Sequence, residues 1–232
     1  MDRAEMVKGL AILLVVIMPA VIVAAEPIIH VPHGTPATID GTVDAEEWAD
    51  AVRIELPRST WLLLKHDGDS MYMGIVADEM GMFVGNVCIL DDDRFYIYHA
   101  SAALGTAMYQ WNPSTVTWIL ASDFVWRCRA LGFSSTAVRQ REQFLADEGW
   151  VASISYLGDP EEMEFRVTAS SSSLLVWLAL LPAYGGDLLN WPEIPGQDLF
   201  PGPIPGETML EPDGLAHLIL DPADVEPAEH AP

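Results

Sequence analysis

The stretch that most constrains this chain is Thr60 to Asp78, TWLLLKHDGDSMYMGIVAD. Trp61 to His66 and Met71 to Ala77 are rich in Leu, Ile, Val and aromatics, and Asp67-Gly68-Asp69-Ser70 between them is turn chemistry, so a β-hairpin is predicted. In its second strand Met71, Met73, Ile75 and Ala77 alternate with Tyr72, Gly74 and Val76. Neither set is polar enough to lie in water, which places the hairpin centrally in a layered β structure.

The rest of the chain repeats this grammar. Ile28 to Val31 reads as a short edge strand, and Asp44 N-caps a helical turn that carries Trp48 inward before Val52, Ile54 and Leu56 alternate. Phe83 to Leu90 and Phe95 to His99 form a strand pair around Asp91-Asp92-Asp93, followed by strands near Thr106 to Trp111 and Thr115 to Trp126. Ser134 to Leu145 loses period 2 and reads as a surface helix capped by serine. Strands follow at Gly149 to Leu157, Glu164 to Thr168, Leu174 to Leu181 and Leu215 to Leu220, with a long Pro/Gly-rich loop from Tyr184 to Gly214. Many short strands with turns between them and one minor helix predict an all-β fold, an antiparallel, jelly-roll-like β-sandwich. At 232 residues it forms one domain, residues 26–221, followed by a frayed tail at 222–232.

The first 25 residues have a polar start with Arg3 and Lys8, an apolar run from Leu10 to Ala25, and small residues before Glu26. They are expected to act as a signal peptide or N-terminal anchor; a run of about sixteen apolar residues interrupted by Pro19 is short for a stable span. A secreted or cell-surface location follows, with no membrane insertion beyond that segment. The net charge of −23, from 34 acidic against 11 basic residues, disfavours nucleic acid as a partner. The two cysteines, Cys88 and Cys128, could form one disulfide between neighbouring strands or remain buried thiols.

No Gly-x-Ser-x-Gly elbow, phosphate-cradling glycine loop or His-Glu-x-x-His pattern is present, so the chain is not read as an enzyme. Aromatic faces flanked by amides and carboxylates are the chemistry that binds sugars. Of the eight tryptophans, Trp118, Trp126 and Trp177 fall in strands and are expected in the core, whereas Trp191 lies in a loop beside Asn190. Tyr96, Tyr98 and His99 are expected to line the same concave face. Asp67, Asp69 and Asp91 sit in acidic turns that offer hard oxygen ligands of the kind calcium takes, and equally serve as plain hairpin turns.

Ile39-Asp40-Gly41, Asp44, Trp48 and Ala51, the hairpin with His66, Asp67, Met71, Tyr72 and Asp78, and the segment GWVASISYLGDPEEMEFRV together resemble the family-9 carbohydrate-binding modules and related DOMON-like sandwiches. The resemblance implies a sandwich in which two loop aromatics clamp a sugar ring. The late position matches Trp191, and the early one falls at Met80 to Phe83. It also implies structural calcium, with Asp67, Asp69, Asp78 and Asp91 as donors. The expected function is therefore an exported, non-catalytic module binding a carbohydrate or similar polar ligand. Two alternatives stand beside it: a haem-binding, electron-transfer module using Met71, Met73, His66, His99 or Lys65, and a structural or adhesive cell-envelope protein.

Overall fold

The structure, a computed structural model, describes residues 26–130, 134–155, 161–193, 207–208 and 214–223. The expected export segment, most of the late Pro/Gly-rich loop and nearly all of the tail lie outside the described residues. Two sheets form a sandwich. The smaller contains β2 (Val52–Leu56), β3 (Thr60–His66), β4 (Ser70–Ala77), β10 (Trp150–Ser155) and β11 (Glu161–Thr168), in the order β10-β11-β4-β3-β2, with every neighbour antiparallel. The predicted hairpin is β3–β4, and it does sit centrally.

The larger sheet is built on β5 (Phe83–Asp91), β6 (Arg94–Ala100), β7 (Ala103–Asn112), β8 (Thr117–Ser122) and β12 (Ser173–Pro182). β12 flanks β5 on one side, and β6, β7 and β8 follow on the other. The far edge of β12 is shared by β15 (Ala216–Leu220), paired with its first half, and β13 (Leu189–Trp191), paired with its second. The two-residue strands β9 (Cys128–Arg129) and β14 (Glu207–Thr208) pair with β7 and β8. β1 (Ile28–Val31) is the edge strand the sequence predicts, but it runs parallel to β15, a departure from the antiparallel pattern. The helix α1 (Ser135–Glu148) is also where expected: Ser134 caps it by accepting from Ala137 N, and Gly149 ends it in the left-handed region.

Between the sheets lies one core, in which Leu62, Leu64, Met71, Met73 and Ile75 meet Val87, Ile89, Val176 and Leu178. Trp150 stacks on Tyr98 and Phe165 and takes the edge of Phe144 from α1. The second face of β4 is covered as well, because Gly74 leaves room for Trp48: a Cβ there would lie 3.2 Å from the indole. The Ile-Asp-Gly…Trp pattern now has a physical reading. Glu164, fully buried on β11, accepts from Asp40 N, Gly41 N and Trp48 Nε1, tying the incoming segment to the sheet. Gly41 sits at φ 96°, and a Cβ on it would lie 2.8 Å from the Ile154 carbonyl carbon. Lys65, also fully buried, donates to Glu47 O and to Asp50 Oδ1 at 2.9 Å and lies 5.2 Å from the Trp48 ring. Both cysteines are buried free thiols: Cys88 faces away from the inter-sheet core and Cys128 toward it.

Candidate ligand-binding face

The larger sheet carries a second apolar layer on its outer side, formed by Cys88, Phe95, Ile97, Tyr109, Trp118 and Trp177 among others. Strand alternation puts these residues opposite the inter-sheet core, and the register places one polar row among them. Asn190 of β13 pairs with Ala179 of β12, Ala179 with Asn86 of β5, Asn86 with His99 of β6, and His99 with Gly105 of β7. Five adjacent strands thus present Asn, Ala, Asn, His and Gly side by side. The small members leave little side chain between the polar ones, so the row is a low line across the sheet, a trough in which Ala179 is 1 % and Asn86 4 % exposed.

An aromatic wall stands at the Gly105 end. Phe124 and Trp126, in the irregular segment after β8, pack on His99 with ring centroids 5.5 and 5.2 Å away. Gly105 admits them: a Cβ there would lie 2.9 Å from the Trp126 ring. Trp126 remains 53 % exposed, so one indole surface faces solvent. The sequence reading expected it in the core. The regular strand ends at Ser122, and Trp126 therefore leaves the ladder that buries Trp118 and Trp177.

The row has defined hydrogen-bonding character. His99 Nδ1 lies 2.7 Å from Asn86 Oδ1; with that oxygen accepting, Nδ1 carries the proton and Nε2 is left an acceptor. Burial pushes the His99 pKa down to about 4, so the ring is neutral. Asn190 Oδ1 is buried and has no hydrogen-bond partner. At its two ends, then, the row offers acceptors suited to hydroxyl donors.

Of the sites predicted from sequence, Asn190 and His99 share this row. Trp191, the next residue of β13, pairs with Leu178 and turns half-buried toward the inter-sheet core. Phe83 is 1 % exposed in that core, and Tyr98 lies there too, its hydroxyl pKa raised by burial; Tyr96 stacks on it. These four residues are thus on the opposite face from His99, because Tyr96 and Tyr98 fall on the other parity of β6. Asn86 and Phe124, not singled out from sequence, and Trp126, expected there in the core, complete the trough; Asp123 and Arg127, which bracket the aromatic pair and break its alternation, are the signal that marks it as a surface turn.

The carboxylates proposed for calcium do not converge. Asp67 and Asp69 lie at one end of β4 and Asp78 beyond the other, about 30 Å away along the strand. Asp91 ends β5 in the other sheet. Asp67 Oδ2 accepts from Tyr72 Oη at 2.6 Å, and Oδ1 accepts from Asp69 N and Ser70 N. Burial opposes its charge, but these bonds hold the carboxyl below the ordinary aspartate range. Among the described residues no group of three His, Cys, Asp or Glu side chains is placed to hold a metal ion. The donor set does not fit calcium. Haem fits no better: Met71 and Met73 are in the core, Lys65 is held by Asp50, and His99 is on the far face of the other sheet. His66 Nε2 donates to Asp221 O and its Nδ1 accepts from Gly68 N, which leaves neither nitrogen open.

No family model and no curated protein matches this chain. Two solved structures are similar to it. A carbohydrate-binding module of family 9 from Caldicellulosiruptor kristjanssonii, in complex with cellotriose, superposes with a TM-score of 0.47 at 12 % identity, over 87 % of this chain and 99 % of that one. A carbohydrate-binding protein from Bacteroides uniformis, so described provisionally, superposes with a TM-score of 0.48 at 10 % identity, over 85 % and 100 %.

Proposed function

We propose that the chain is a non-catalytic carbohydrate-binding β-sandwich whose ligand lies in the trough on the outer side of the larger sheet. The observation that carries this reading is the in-register row Asn190, Ala179, Asn86, His99 and Gly105, ending at the half-exposed Trp126. A sugar stacks its C–H face on an indole while its hydroxyls donate to nearby amide and imidazole acceptors. The unpaired Asn190 Oδ1 would gain such a donor. The row contains two amides, an imidazole and two small residues, and so no nucleophile or acid–base pair for glycoside hydrolysis. Residues 1–25 are read as an export segment that carries the module outside the cell, either released or tethered. Among the described residues no helix is long and apolar enough to cross a membrane.

The test is calorimetric titration with a panel of soluble neutral oligosaccharides, cellotriose among them. Saturable binding is expected for at least one, with Trp126→Ala weakening it about tenfold. A panel without saturable heat, or a Trp126→Ala variant with unchanged affinity, would overturn the assignment. A flat panel would favour the structural, adhesive role instead.

A further inference from the structure

A second cleft, of about 310 Å³, lies across the smaller sheet, away from the trough. Its floor is Val151 of β10 and Arg166 of β11. One wall is the stripe Val138, Arg141 and Leu145 of α1, and the other is the segment around Ile39. Neither wall is loose: Glu164 holds Asp40 N and Gly41 N, Glu47 Oε1 accepts from Thr38 N, and α1 packs Phe144 on Trp150.

Arg166 is the unusual member. Its Nε donates to Ser70 Oγ at 3.0 Å and its guanidinium lies 5.7 Å from the Tyr72 ring, which fixes its direction. In a chain with 34 acidic residues, this half-buried cation makes no ion pair among the described residues, although Arg58, Arg94 and Arg127 each do. Asp67, whose carboxyl feels the Arg166 charge, is committed to Tyr72 and its own turn, and Glu164, two residues away on β11, to Asp40 N, Gly41 N and Trp48 Nε1. Asp40 also lines the cleft, but its Oδ1 accepts from Thr42 N; Glu142 is exposed on the helix surface. Arg141, 6 % exposed and engaged with other groups, lines the same wall. A half-buried guanidinium whose Nη atoms make no hydrogen bond among the described residues is matched by a carboxylate, and the aliphatic walls are matched by a carbon skeleton.

We propose that this cleft binds a small monocarboxylate with an apolar body, its carboxylate on Arg166 and its carbon skeleton between Val138, Leu145 and Val151. The probes are 4-phenylbutyrate and its neutral counterpart 4-phenylbutan-1-ol, titrated calorimetrically into the full chain. The carboxylate is expected to bind at least about tenfold more tightly than the alcohol. Arg166→Gln should bring the carboxylate down to the alcohol's affinity and leave the alcohol unaffected. Val138→Trp, at an exposed helix position, should fill the cleft and abolish binding of both, so it reads the site even where Arg166→Gln fails to fold. Equal affinity for acid and alcohol, no saturable heat from the acid, or wild-type affinity in either variant would overturn the proposal.

Discussion

Glu164 shows how one side chain can organise a fold. Three N–H donors from three residues converge on its two carboxylate oxygens, in a place with no solvent exposure. Burial pushes its pKa up to about 8, the three donors pulling the other way. Between the ordinary glutamate value of 4.5 and about 8 the folded state therefore binds more protons than the unfolded state, and stability falls as pH rises through that window. Glu164→Gln should flatten this slope, seen as urea midpoints that change less between pH 5 and 8, and should cost about 1–3 kcal/mol because the amide N–H₂ opposes one of the donors. None of this was legible in the sequence as chemistry. The Ile-Asp-Gly…Trp pattern and the Glu in MEFRV could be seen separately, but their hydrogen bonds span more than a hundred residues and exist only once β11 is in place.

At the scale of elements, local signals were enough wherever the physics is local. The β3–β4 hairpin follows from an Asx turn in which Asp67 accepts from its own loop, and α1 follows from Ser134 and Gly149 at its ends. Removing the cap by Ser134→Ala should lower stability by about 1 kcal/mol, measurable as a shift in thermal midpoint with the m-value in urea unchanged. The trough was legible only in part. Asn190 and His99 could be picked for their residue types, but which residues join them depends on the register of β13, β12, β5, β6 and β7. A period-2 strand has two faces, and sequence alone does not say which of them meets the other sheet. That is why Trp191, Tyr96 and Tyr98 were grouped with His99 when they occupy the opposite side. Trp126 was missed for a different reason: four residues past the end of β8, its side chain is placed by a turn and by the gap that Gly105 leaves.

Across the whole molecule the titrating groups set opposed slopes. His66 and His99 have folded pKa values below the ordinary 6.5, mainly through burial, so the folded state binds fewer protons and stability falls as pH drops below that value. Burial raises Glu161 and Glu162 in the same direction as Glu164, so these groups erode stability as pH rises above 4.5. Between about 4.5 and 6.5 the two effects oppose each other, and the thermal midpoint is expected to be nearly flat there and to fall on either side. A scan of thermal midpoint from pH 3.5 to 9 checks this; a maximum at pH 8 would contradict it. The closure of the sandwich lies on the acid-sensitive side, since Asp221 receives His66 and also donates to Val31 O, joining β1, β15 and β3. A last consequence comes from Lys65. Its ammonium is enclosed by Glu47, Asp50 and Trp48, and no other lysine follows residue 8. The folded domain consequently exposes no ε-amine: amine-reactive dyes, cross-linkers and coupling resins will find nothing to react with on its sides. A single lysine introduced at any chosen surface position would become the one reactive side-chain amine of the folded domain, apart from the α-amine and Lys8 of the N-terminal segment, letting the domain be fixed to a support through a chosen face.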